Sequence, residues 1–310
     1  MTRCRLLIDT DPGVDDALAI LMAHAHAEVQ GLTVAAGNVG LAHTVANALK
    51  LVETIGAGTP VYPGCPVPLV MAAADAAFVH GADGFGDTGY ARARRDAEAE
   101  HAVLAILRLA REHEGQLTLV ALGPLTHLAL ALRLDPDLPK RFARLVIMGG
   151  AVNGRGNTER VPAEFNIGFD PEAAHVVFSG WPDFDLVDWE ATLRHGLDFA
   201  RVERWLEVAD PRARFFRAIS RRTRAWTRER GRPAMMVADA LAMAVALEPG
   251  IVTCSERHHV AVECAGTLTR GATVVDWEDR FGHAPNARII TTVDTRRFET
   301  MVAESLGAVP

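Results

Sequence analysis

Four carboxylates fall within eight residues near the N-terminus: Asp9, Asp11, Asp15 and Asp16. A short apolar run, residues 6–8, leads into them; Pro12 and Gly13 lie between them, and an apolar periodic segment, residues 17–25, follows. This order reads as a buried strand, a tight turn and a helix start, with the acids gathered at the strand's carboxyl end. Open α/β sheets bind their ligands at that edge. Like charges so close repel, and their pKa values rise unless a cation or hydrogen-bond donors compensate them. A hard divalent ion held by carboxylate oxygens is the simplest compensation. Helix capping and the helix dipole would account for Asp11, or for one of Asp15 and Asp16. They do not account for Asp9 and Asp11 on a strand end together with a turn that aims two more acids back.

Alternating strand and helix signals supply the frame for these acids. Residues 6–8 precede a helix from about Asp15, residues 32–36 a helix over 42–55, and residues 117–122 a helix over 125–132. Residues 145–148 lead into a Gly-rich loop, a helix starts near Pro171, and residues 185–187 read as a further strand. Such alternation implies right-handed crossovers and a mostly parallel sheet. Residues 257–264 and 288–293 look like hairpin strands before a last helix over 295–306. The expectation is an α/β, Rossmann-like fold: a mostly parallel sheet flanked by helices, a small antiparallel C-terminal appendage, and one domain over residues 1–310. Polar groups recur where strands end: Asn38, Gly123-Pro124, Gly149-Gly150, Asn157, Glu164, Asn166 and, before an apolar helix, Asp239. Amides and carboxylates without Arg or Lys suit a neutral polyol such as a sugar better than a phosphate.

Composition narrows the partners. The chain has 310 residues, is 49% hydrophobic and carries a formal charge of −7, enough for a large core. No basic stripe suggests nucleic acid or an anionic membrane; the Arg-rich residues 217–232 read as a mobile or surface helix. No apolar run approaches membrane-spanning length. The immediate first strand argues against a signal peptide, and the expected location is cytoplasmic. Cys4, Cys65, Cys254 and Cys264 lack CxxC spacing and read as reduced thiols, although Cys254 and Cys264 could sit on adjacent strands.

Five segments in order carry a specific likeness: Asp9-Thr-Asp-Pro-Gly-Val-Asp-Asp-Ala17, Gly37-Asn38, Met148-Gly-Gly150, Ala163-Glu-Phe-Asn166 and Asp170-Pro-Glu-Ala173. Together they resemble the inosine–uridine nucleoside hydrolases over nearly the whole chain. The resemblance implies hydrolysis of the N-glycosidic bond of purine or pyrimidine ribonucleosides in nucleoside catabolism and salvage. It implies one tightly held calcium ion (Ca2+), a homodimer or homotetramer, and a small-molecule nucleoside as the only partner. Carried over, Asp11 is metal ligand and general base, activating a calcium-bound water. Asp16, Asp239 and the backbone carbonyl of Leu122 complete the ion's protein ligands. Asp15, Asn38, Asn157, Glu164 and Asn166 grip the ribose, with Asp15 and Asn166 also near the ion. His80 matches a histidine on a mobile loop beside the site, and Asp9 supports the loop rather than the ion. The chemistry is coherent, since ribose loss passes through an oxocarbenium-like state that water attacks.

One departure stands out. Many members of that family have a histidine directly before the last metal Asp, where this chain has Ala238. The usual proton donor to the leaving base is therefore missing. Trp226, a few turns upstream, is a candidate to stack on a purine and ease its protonation, or else an amphipathic core or interface residue. His258 and His259 alternate along a strand and so are poor joint ligands. The first strand also superficially resembles that of haloacid-dehalogenase-type phosphatases, but Gly13 stands where those want Thr or Val. The remaining alternatives are a catalytically impaired relative that binds ribosides, and a hydrolase of a non-standard N-riboside.

Overall fold

The computed structural model describes residues 3–309. Six strands come first: β1 (Arg5–Thr10), β2 (Glu28–Val34), β3 (Val61–Pro63), β4 (Leu117–Ala121), β5 (Arg144–Met148) and β6 (Phe184–Val187). They are followed by β7 (Leu197–Asp198), β8 (Ala234–Met235), β9 (Val252–Val262), β10 (Thr273–Asp276) and β11 (Ala287–Val293). The main sheet runs β10-β9-β11-β6-β5-β4-β1-β2-β3, while β7 and β8 pair separately. From β3 to β6 and on to β11 every pairing is parallel; β9 then pairs antiparallel with both β11 and β10.

The expected α/β frame is present. Its antiparallel C-terminal part is continuous with the main sheet, because β11 docks parallel onto β6. β9 in turn pairs antiparallel with β10, a strand outside the sequence-read elements. Cys254 lies on β9 and Cys264 just beyond its end, so the two do not face each other across adjacent strands; all four cysteines are free thiols.

Burial explains the layering. On β1, Leu6 and Ile8 pack into one apolar cluster and Leu7 into another, as the two-residue period of a strand requires. The first cluster takes in the helices Val14–His26, Ala238–Leu247 and Thr295–Ser305; the second takes in Ala102–Glu112, Thr126–Leu134 and Pro171–Gly180. With both faces covered, the parallel strands are apolar throughout.

The strand order places the site. Going outward from the centre, the chain runs β1-β2-β3 on one side and β4-β5-β6 on the other. Between β1 and β4 the winding reverses, and a crevice opens beyond their carboxyl ends. Asp11 leaves β1 there and Leu122-Gly123 leaves β4.

Candidate active site

The turn after β1 is built by its own side chains. Pro12-Gly13 breaks the strand, and Asp16 accepts the Gly13 N–H at 2.9 Å, closing the start of the helix Val14–His26. The Thr10 hydroxyl donates to the other oxygen of Asp16 at 2.5 Å. Asn38, at the end of the segment after β2, locks the turn from the side. Its N–H donates to Asp11 Oδ2 at 2.6 Å, and its side-chain amide to the Asp11 carbonyl and to Asp16, both at 3.1 Å. Asp9 faces elsewhere: Thr33 donates to it at 2.6 Å and His127 Nδ1 lies 2.7 Å away, so it braces the strand end.

Glycines make room for Asp11. A Cβ on Gly37 would lie 2.0 Å from Asp11 Oδ2, and one on Gly123 2.5 Å from Oδ1. The Oδ1 atom is buried and has no hydrogen-bond partner among the described residues, which a native interior rarely tolerates without a ligand. Burial, then the charge of Asp16, raises the Asp11 pKa well above the carboxylate range. Burial, then Asp15, does the same to Asp239 in the first turn of Ala238–Leu247. Burial also raises Asp16, and takes Asp15 to about 6. Asp15, Asp16 and Asp239 present oxygens all within 4.8 Å of one another, a group able to hold a metal ion. That triplet includes Asp15, which the resemblance gave to the ribose. Asp11 stands beside it, close enough to raise Asp239.

A second wall comes from the ends of β4 and β5. Glu164 caps the short helix Phe165–Phe169, accepting the N–H groups of Asn166, Ile167 and Gly150 at 2.9, 3.2 and 3.0 Å. Its burial pushes its pKa up to about 7. Asn166 donates through its amide to the Leu122 carbonyl at 2.6 Å and more weakly to that of Met148. Asp15, Asn38, Leu122, Asn157, Glu164, Asn166 and Asp239 all line one cleft, above the more deeply set Asp11 and Asp16. The cleft is concave and open to solvent, and is lined by aromatic and polar side chains, as small-molecule sites are.

The mouth of the cleft differs from expectation in two places. His80 is buried at the end of the short helix Ala77–His80, not carried on the Gly-rich loop that follows. Its Nδ1 accepts the Val14 N–H at 3.1 Å, so the ring proton sits on Nε2. Burial lowers its pKa to about 4, which leaves it a neutral donor. The Arg-rich region is two helices, Pro211–Ile219 and Arg221–Glu229, and the second turns Thr223, Trp226 and Thr227 to the cleft. Thr223 donates to the Val79 carbonyl at 3.2 Å, tying that helix to the His80 segment. Trp226 is half-buried against Phe78, with ring centroids 6.1 Å apart. The Arg230 guanidinium covers the indole at 4.0 Å from its centroid. One face of Trp226 is therefore occupied, and a cation upon it works against easing a base's protonation.

Phe78, Trp189 and Arg232 also line the mouth and were not singled out from the sequence. Trp189 had a usable signal, because it follows the carboxyl end of β6. Asp188 there caps the helix Trp189–Arg194 through the Ala191 N–H, and the Trp189 N–H donates to Gly150 at 2.9 Å.

Comparison with known proteins agrees with this geometry. The family model described as inosine-uridine preferring nucleoside hydrolase matches residues 6–300. The chain belongs to this family. It is 35% identical to the inosine-uridine preferring nucleoside hydrolase of Crithidia fasciculata, over 97% of each chain. It is 36% identical to the non-specific ribonucleoside hydrolase RihC of Klebsiella pneumoniae, over 99% of this chain and all of that one. The solved structure of an inosine-guanosine nucleoside hydrolase superposes with a TM-score of 0.92 at 34% identity and full coverage of both chains. The nucleoside hydrolases are N-glycosidases, and this chain is an enzyme of that class. Among the described residues no helix is long and apolar enough to cross a membrane.

Proposed function

We propose that this nucleoside hydrolase cleaves ribonucleosides to free base and ribose with Asp11 as general base. The buried, partnerless Oδ1 of Asp11 beside a knot of carboxylates carries the reading. The donor set is all oxygen, which fits calcium: Asp16 and Asp239, grouped with Asp15, would hold it together with Asp11 and the Leu122 carbonyl beside them. When bound, the ion supplies positive charge that relieves the acids and polarises water and the ribose diol.

The chain's own groups do the rest. Asp11 takes the proton of the attacking water, and the Asn38 N–H on its Oδ2 fixes which carboxylate oxygen is free to do so. Asp15, Asn38, Asn157, Glu164 and Asn166 line the cleft where ribose hydroxyls would be gripped, orienting C1′ for attack. Hydrogen bonds that tighten as the ring flattens favour the transition state over the nucleoside. The same reading makes the chain a single-domain protomer of a cytoplasmic homodimer or homotetramer in nucleoside catabolism and salvage. Light scattering on the purified protein measures the assembly.

The test is hydrolysis of inosine, guanosine, adenosine, uridine and cytidine with calcium present, following free ribose, with Asp11→Ala as control. Release that disappears in the control supports the reading. No release from any of the five, with ribose still bound, would redirect it to a non-standard N-riboside.

A further inference from the structure

Breaking an N-glycosidic bond leaves electron density on the base, and the cleft floor is a poor place to put it. Asp15, Glu164 and Asp239 line the cleft, and neutral His80 offers only an uncharged N–H. Among the described residues, Arg232 is the one Lys or Arg side chain lining it. Its guanidinium donates no hydrogen bond and joins no ion pair among the described residues. The guanidinium faces the Trp189 ring, whose centroid lies 5.7 Å from Cζ.

The backbone sets Arg232 in place. Gly231, at φ +65°, ends the helix Arg221–Glu229 in the left-handed conformation that glycine adopts without strain. Its N–H returns to the Arg228 carbonyl at 2.9 Å, and the Arg232 N–H to that of Thr227 at 3.3 Å. Pro233 next disfavours a helical continuation at Arg232, and β8 then pairs with β7. A half-buried arginine is thus anchored at its backbone and left unpaired at its head, against an aromatic wall.

A guanidinium is a planar fork that matches two adjacent acceptors. A 6-oxopurine offers such a pair in O6 and N7, the pair arginine reads on guanine in nucleic acids. Adenine sets a donor amine beside N7, and pyrimidines have no N7. We propose, on the hydrolase reading above, that Arg232 grips the O6/N7 edge of 6-oxopurine nucleosides and stabilises the departing base. In the balanced step the water oxygen bonds to C1′ and its proton passes to Asp11. The C1′–N9 electron pair leaves with the base, whose charge Arg232 faces until solvent returns a proton.

The experiment compares kcat/KM for inosine, guanosine, adenosine and uridine in the wild type, Arg232→Gln and Arg232→Lys. In Arg232→Gln the inosine-to-adenosine and inosine-to-uridine ratios should fall about tenfold to a hundredfold. Arg232→Lys, which keeps the charge and loses the fork, should recover little of either ratio. Unchanged ratios, or equal losses on all four substrates, would overturn the assignment. Calorimetry with free hypoxanthine and adenine separates this from the hydrolase reading. Should the wild type cleave none of the four, tighter hypoxanthine binding that Arg232→Gln abolishes would still support Arg232, and equal binding of the two bases would overturn it.

Discussion

The floor of the cleft and its mouth are made from different material. The floor is carried by the ends of β1, β4 and β5 and by the starts of the helices Val14–His26, Phe165–Phe169 and Ala238–Leu247, and Asp11, Asp16, Asn38, Glu164, Asn166 and Asp239 on it are all buried. The mouth is assembled from the short helix Ala77–His80, the helix Arg221–Glu229 and the start of Trp189–Arg194, with Phe78 exposed and Trp226, Trp189 and Arg232 half-buried. Atoms that must keep a fixed geometry through bond breaking lie on the sheet. Atoms that meet the variable part of a substrate lie on peripheral segments, as is general for scaffolds that host more than one specificity. If the division holds, changes in the floor fall on kcat, and changes at the mouth fall on KM or on the ratio between bases.

The largest effect is expected at the centre of the floor. Asp11→Asn should lower kcat by about a hundredfold to ten-thousandfold while the thermal midpoint of the metal-free protein holds. A loss confined to KM would erase the distinction between floor and mouth. Gly37→Ala tests the same point without touching a reacting group. Its Cβ would lie 2.0 Å from Asp11 Oδ2, so the carboxylate must move, and kcat should fall about a hundredfold with the fold intact by circular dichroism.

Chelation comes next. Removing calcium should lower the thermal midpoint and returning it should raise it, by the equivalent of about 2.7 kcal/mol at a hundredfold excess over Kd. The gain should be greater at pH 8 than at pH 5.5, because Asp15, with a pKa near 6, must lose its proton before the acids can hold an ion. An equal gain at both pH values would show that the cluster is not the binding site.

Without metal the pH dependence runs the other way. Glu164 has its pKa raised by burial from 4.5 to about 7, so between those values the folded state binds more protons than the unfolded chain. Its contribution is full below pH 4.5 and is lost as pH rises through 7. Metal-free stability should therefore decline over that range, and Glu164→Gln should flatten the slope, as read by urea unfolding at several pH values. The smallest effect belongs to the mouth: Trp226→Ala should raise KM for inosine severalfold and leave kcat nearly unchanged. Unchanged KM and kcat on both inosine and uridine would remove Trp226 from base binding.

The floor was legible because its parts are local. Asp11, Asp15 and Asp16 share one strand–turn–helix unit, so spacing alone put them together. Glu164 and Asn166 share one short helix start. The mouth was not legible for the opposite reason: Phe78, Trp189 and Arg232 are far apart in sequence and carry no spacing that links them. Even Trp226 and His80, which line the cleft, take settings the sequence does not show. The Arg230 guanidinium closes one indole face, and the Val14 N–H claims His80 Nδ1.

The amino-acid sequence by itself determined the α/β frame, the carboxylate turn and the family, since these follow from short-range periodicity and contiguous motifs. Only the tertiary structure decided that Asp11 keeps a partnerless oxygen, and that Asp9 turns away to Thr33 and His127. It alone brought Arg232 to the mouth, with no ion pair among the described residues. Such facts depend on which distant segments meet at the crevice between β1 and β4, and on which donors are already used when they arrive.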